Sequence, residues 1–172
     1  MQEQLKLFFQ LDLVLICGLP SSGKSSFARE HFQNTSFFRL NRKEIRRMIF
    51  EMANFGKTWS EDEFNNVDEA LVKYTEKRIL EHWLSVKRKV LIDNTSVTPA
   101  SRKAYIKIAG QHKLSIGAIY INASPELCQK RNQQSGKDII PAQVITGMAA
   151  SAAKPALSEG FSEVFSVDIN GT

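Results

Sequence analysis

Cysteine is scarce in this chain. There are two in 172 residues, Cys17 and Cys128, far apart and without a ligand-spaced partner. That excludes a disulfide framework and a cysteine zinc site, and it suits a reducing compartment. The three histidines, His31, His82 and His112, are equally scattered and do not form a metal-ligand pattern. No apolar run approaches the length of a membrane span. Met1 to Gln10 holds apolar residues but neither a basic start nor a small-residue cleavage site, so it does not read as a secretory leader. Internal repeats, low-complexity tracts and linkers are also missing. These absences point to a cytoplasmic protein, a nuclear one remaining open, with no membrane partner.

What is present fits one folded domain over residues 1–172, with 1–10 as a short N-terminal extension. Apolar residues make up 42% of the chain. The net charge of +5 suits a phosphate-rich ligand, whether nucleotide or nucleic acid. Short apolar runs at Leu11–Cys17, Phe37–Leu40, Val90–Ile92, Ser115–Ile121 and Val164–Asp168 read as strands. Helical segments alternate with them: Lys24–Asn34, Lys43 to about Phe55, Ser60 to about Val86, Thr98 to about Gln111, Ser124 to about Asn132, and Pro141–Ala150. Three of these starts carry local signals. Ser60 with Glu63 reads as a capping box, and Thr98-Pro99 and Ser124-Pro125 read as a cap followed by proline. Alternation of this kind predicts an α/β fold, three layers around a central parallel sheet, with ligands at the carboxyl ends of the strands.

The segment Gly18-Leu19-Pro20-Ser21-Ser22-Gly23-Lys24-Ser25 matches the Walker A pattern, with an apolar strand before it and a helix after it. Glycines let the backbone amides turn inward as an anion nest, and the following helix adds its N-terminal dipole. Gly18, Pro20, Ser21, Ser22, Gly23, Lys24, Ser25 and Ser26 are thus expected around a triphosphate. Lys24 supplies charge to the outer phosphates, and the Ser25 hydroxyl offers a magnesium ligand. Asp93, ending the strand Val90-Leu91-Ile92, is placed to join the magnesium shell. The expected cofactors are ATP, with GTP open, and Mg2+.

Two basic segments complete the pattern. Asn41-Arg42-Lys43-Glu44-Ile45-Arg46-Arg47 follows the second strand, where cations could hold an anionic acceptor. On spacing alone it could equally be a solvated helix face. Arg131 precedes the polar run Asn132 to Lys137, a candidate lid, and could close over the phosphates. Trp59 lies in a loop and is a candidate for base stacking, whereas Trp83 reads as core.

With these motifs in order, the chain resembles the polynucleotide 5′-kinase family, over roughly Leu13 to Val167. The resemblance rests on the P-loop with Phe27-Ala28-Arg29 behind it, on Asn41-Arg42, and on Ile92-Asp93-Asn94-Thr95. It extends to Ala100-Ser101-Arg102, Cys128 to Asn132, and Pro155 to Phe161. It implies an adenylate-kinase-like P-loop fold and transfer of the ATP γ-phosphate to a 5′-hydroxyl end of RNA or DNA. It also implies possible association with a ligase or phosphatase partner. The resemblance implies catalytic roles for Arg46 and Arg131 beside the P-loop Lys24, with Glu44 as a candidate base from a shifted position, and under a kinase reading Arg42, Lys43, Arg46 and Arg102 would help hold the phosphates of the acceptor strand. The chain departs from the family pattern at three places. Lys43 stands where the family has its proton-accepting Asp, leaving Glu44 as the nearest carboxylate. Ser135 stands where many members carry a second lid cation, with Lys137 nearby, and Met148 to Ala153 has none. A catalytically degenerate nucleotide-binding module and a small-metabolite kinase are therefore the alternative readings.

Overall fold

Helices α1 (Gln2–Phe8), α2 (Lys24–Phe32), α3 (Arg42–Ala53), α4 (Glu69–Ser85), α5 (Pro99–His112), α6 (Pro125–Gln133) and α7 (Ala142–Ser151) surround five strands in a computed structural model that describes residues 1–136 and 139–169. The strands are β1 (Leu13–Cys17), β2 (Phe37–Leu40), β3 (Lys89–Asp93), β4 (Ile116–Asn122) and β5 (Glu163–Asp168). They form one parallel sheet in the order β2-β3-β1-β4-β5. The expected three-layer α/β architecture is thus observed.

A parallel sheet covered on both faces needs strands that are apolar throughout, and β1 is buried at every position. Its residues alternate between two cores. Leu13, Leu15 and Cys17 face the α3, α4 and α5 side with Val90, Ile92, Ala118 and Tyr120. Val14 and Ile16 face the α1 and α2 side with Leu91, Ile119 and Ile121. Helix α1, within the stretch expected as an extension, sends Leu5 and Phe8 into this second core. Gly117 on β4 makes room for it, since a Cβ there would lie 2.8 Å from the Phe8 ring and 2.5 Å from Leu11 Cδ1.

One predicted boundary is corrected. The expected helix from Ser60 to Val86 is two elements, a 3-10 turn over Glu61–Asn66 and then α4. Glu63 does not close a capping box on Ser60, because its carboxylate accepts from Lys57 Nζ and Asn66 Nδ2, each at 2.6 Å. The chain extends at Val67, and Asp68 caps α4 by accepting from the Leu71 amide at 3.0 Å. The caps at Thr98 and Ser124 are as read, Thr98 closing a capping box with Ser101. No described helix is long and apolar enough to cross a membrane.

Candidate phosphate and acceptor site

The carboxyl ends of β1, β2 and β3 are laced together by short loops. The Gly18 amide donates to Thr95 O at 2.8 Å, tying the loop after β1 to the loop after β3. Asn41 Nδ2 donates to Asp93 O at 2.6 Å, and the Arg42 amide donates to Asn94 Oδ1 at 2.9 Å, tying the end of β2 to the same loop. Three sequence-distant segments therefore share one frame.

In the loop after β1, Gly18 has φ +150°, and a Cβ there would meet Ile121 O at 2.8 Å. Gly23 has φ +98° and caps α2 in the left-handed region. Any side chain at either position would be strained. The result is an open cavity of about 420 Å³ lined by Ser21, Gly23, Lys24, Ser25, Ser26 and Arg131, at the amino end of α2. Lys24 is nearly buried and donates from Nζ to Leu19 O at 2.6 Å. Burial lowers its pKa to about 8, against the opposing pull of the nearby Asp93 charge. Arg131 Nη1 donates to Ser22 O at 3.4 Å from across the cavity. Two cations from separate elements thus flank the same space. Pro20 and Ser22 complete the loop without lining that cavity.

Ser25 Oγ donates to Asp93 Oδ2 at 2.8 Å. Asp93 is buried, and its Oδ1 has no hydrogen-bond partner. A buried carboxylate oxygen left open beside a hydroxyl is an oxygen donor set that fits a hard cation such as magnesium. Among the described residues no cluster of three metal-binding side chains exists, so phosphate oxygens and water would have to complete the coordination.

Beyond Asp93 the site continues through a residue that the sequence reading missed. Arg39 donates from Nε at 2.8 Å and lies 2.7 Å from Asp93 Oδ2 through Nη2, while its Nη1 reaches Glu44 at 2.7 Å. Burial opposes the Arg39 charge, but bonds to Glu44 and Asp93 outweigh it and hold the pKa above the ordinary arginine value. The signal was available as a single cation within the apolar strand Phe37-Phe38-Arg39-Leu40. A second missed group lies beneath α3. Glu76 is buried on the apolar stripe Val72, Glu76, Leu80, Leu84, which its i, i+4 spacing places on one helix face. It accepts from Arg42 at 2.5 Å, from Asn94 Nδ2 at 2.5 Å and from Tyr105 at 3.0 Å. Burial pushes the Tyr105 hydroxyl pKa up, and the Glu76 charge adds to that.

Several expected acceptor-binding residues are committed elsewhere. Arg102 is corrected outright. It is fully buried, meets both oxygens of Glu159 at 2.8 and 2.7 Å, and donates to Ser96 O and Ala153 O, so it braces the fold and does not face a ligand. Arg42 is bound by Glu76, and Arg46 by Glu69, with the Arg46 guanidinium over the Phe64 ring. Lys43 Nζ lies 2.9 Å from Glu61 and 5.5 Å from the Trp59 ring centre. Trp59 itself is buried in the core and unavailable for stacking a base. Trp83 is only partly buried against that core. In the last turn of α6, Asn132 bonds the Ile140 amide and carbonyl. Lys137 lies outside the described residues.

A model of the AAA domain family matches residues 13–155. The chain belongs to that family. The chain is 27% identical over 157 residues to the bifunctional polynucleotide phosphatase/kinase of Schizosaccharomyces pombe, covering 89% of this chain. It spans 32% of the length of that relative. In fold it is similar to Kti12 of Chaetomium thermophilum, solved with ADP-AlF3, at a TM-score of 0.67 and 16% identity over 93% of this chain and 90% of that one. It is also similar to a gluconokinase from Sinorhizobium meliloti, at 0.60 and 13% over 92% and 83%.

Proposed function

We propose that this chain is an ATP-dependent phosphotransferase of polynucleotide 5′-kinase type, acting on the 5′-hydroxyl end of RNA or DNA. The supporting observation is the convergence of Lys24, Ser25 and Arg131 on one cavity at a helix amino end, with Asp93 2.8 Å from the Ser25 hydroxyl. The likeness to a polynucleotide phosphatase/kinase favours a nucleic-acid acceptor, and a phosphatase or ligase partner would suit such an end-processing role.

In this reading the loop amides and the α2 dipole bind the triphosphate of ATP or GTP. Lys24 and Arg131 neutralise the charge that spreads over the transferring group. Ser25 and Asp93 would hold magnesium, which would supply charge compensation at the outer phosphates. The acceptor enters from the α3 side. Incubation with γ-labelled ATP and 5′-hydroxyl oligonucleotides should label the 5′ end. ATP binding without labelling of any RNA or DNA end would overturn the acceptor half.

A second reading, a nucleotide-binding module with degenerate catalysis, is favoured by Lys43, which occupies the expected base position and lies against Glu61. A lysine ammonium donates protons and cannot accept one. Under this reading K43D creates transfer activity that the natural chain lacks.

A further inference from the structure

Lys43 and Glu44 are adjacent on the first turn of α3, yet they serve opposite sides. Lys43 turns toward Glu61 and Trp59, away from the metal-binding pair. Glu44 is joined to that pair by an unbroken series of contacts: Ser25 Oγ to Asp93 Oδ2, Asp93 Oδ2 to the Arg39 guanidinium, and Arg39 Nη1 to Glu44 Oε1. A glutamate at the third helical position usually folds back onto the cap amide. Here the Glu44 amide is held by the Asn41 side chain, and its carboxylate goes to Arg39. The Glu44 side chain is 60% exposed, so an incoming hydroxyl can reach it. An ion pair this open contributes under about 1 kcal/mol to stability. Its consequence is geometric: one planar guanidinium sets the separation between two carboxylates.

We propose that Arg39 is a positioning residue that sets Glu44, by way of Asp93, as the proton acceptor for the incoming hydroxyl, in place of the carboxylate absent at Lys43. This rests on the phosphotransferase reading above. The acceptor oxygen forms its bond to the γ-phosphorus as the bond from that phosphorus to the β–γ bridging oxygen breaks. The hydroxyl proton passes to Glu44, and the electron pair of the broken bond leaves on ADP.

The test is a double-mutant cycle on the intact chain, with kcat and KM for ATP read from transfer to a 5′-hydroxyl oligonucleotide. E44Q should lower kcat about 100-fold, R39Q should lower it about 10-fold or more, and R39Q/E44Q should be no slower than E44Q alone. KM for ATP should stay within about threefold, since neither residue lines the phosphate cavity. R39K, which keeps the charge but not the planar fork, should fall between wild type and R39Q. Thermal melting and ATP binding of each variant separate this from loss of the fold. Wild-type kcat in E44Q, multiplicative losses in the double variant, or an R39Q defect confined to KM would each overturn the inference. If no oligonucleotide is labelled, the acceptor reading falls. The same cycle is then read from ADP release to water, where the same coupling is expected and its absence overturns the role of Arg39. A chain showing neither transfer nor ADP release overturns both.

Discussion

Lys24 shows how burial tunes a single residue. Its ammonium is desolvated, so its pKa stands at about 8, below the ordinary 10.5. A triphosphate beside it favours the charged form, so nucleotide binding above pH 8 must take up a proton. Affinity should therefore fall as pH rises past about 8, by up to tenfold per unit, in calorimetric titrations with an ATP analogue. K24R, which stays charged, should abolish that slope. The stability term has the opposite sign. Between about 8 and 10.5 the unfolded chain holds more protons at this residue than the folded one, so its contribution to stability rises with pH. Arg102 makes a contrasting case. The family resemblance puts it at the acceptor, but linear order does not reveal that Glu159 closes on it from another element. R102A should cost about 3 kcal/mol or more in urea unfolding, by stranding that carboxylate and two carbonyls. It should leave the salt dependence of nucleic-acid binding unchanged.

At the scale of elements, most of the fold was legible, because strands buried on both faces are continuous apolar runs and caps are local. Thr98-Pro99 and Ser124-Pro125 announced α5 and α6 without help from the rest of the chain. Ser60 misled because its partner Glu63 had two competing donors that sequence spacing does not reveal. The phosphate loop was readable for the same reason as the caps: its amides, its lysine and the start of its helix lie within the eight residues Gly18 to Ser25. The acceptor side was not, since Arg39, Glu44 and Asp93 meet only after β2 and β3 pair. Helix α1 was undervalued because amphipathic character in so short a segment is weak. F8A should cost about 3 kcal/mol or more in thermal or chemical unfolding, as its ring fills space kept open by Gly117. Stability near wild type in that variant would mean that α1 is only loosely attached.

For the whole molecule, nucleotide and magnesium bound as proposed would add a link between the loop after β1 and the end of β3, through Ser25 and Asp93. ATP with magnesium at about 100 times its Kd should add about 2.7 kcal/mol. In a chain of this size that is a rise in Tm of about 5 to 10 °C. Chelation with EDTA should remove part of the rise, because the cation proposed beside Ser25 and Asp93 would then be withdrawn. An unchanged Tm with ligand in excess would contradict the phosphate site itself.

The order of strands also bears on how the chain comes off the ribosome. β1 and β2 emerge early but are not neighbours, since β3 sits between them. A nascent chain that has released everything through α4 therefore carries two strands with no strand neighbour yet in place. Only when β3 clears the exit tunnel can it slot between them and start the sheet. Stalled nascent chains should stay protease-sensitive until Asp93 has emerged, and early hydrophobic exposure makes β1 the segment where a holding chaperone would bind.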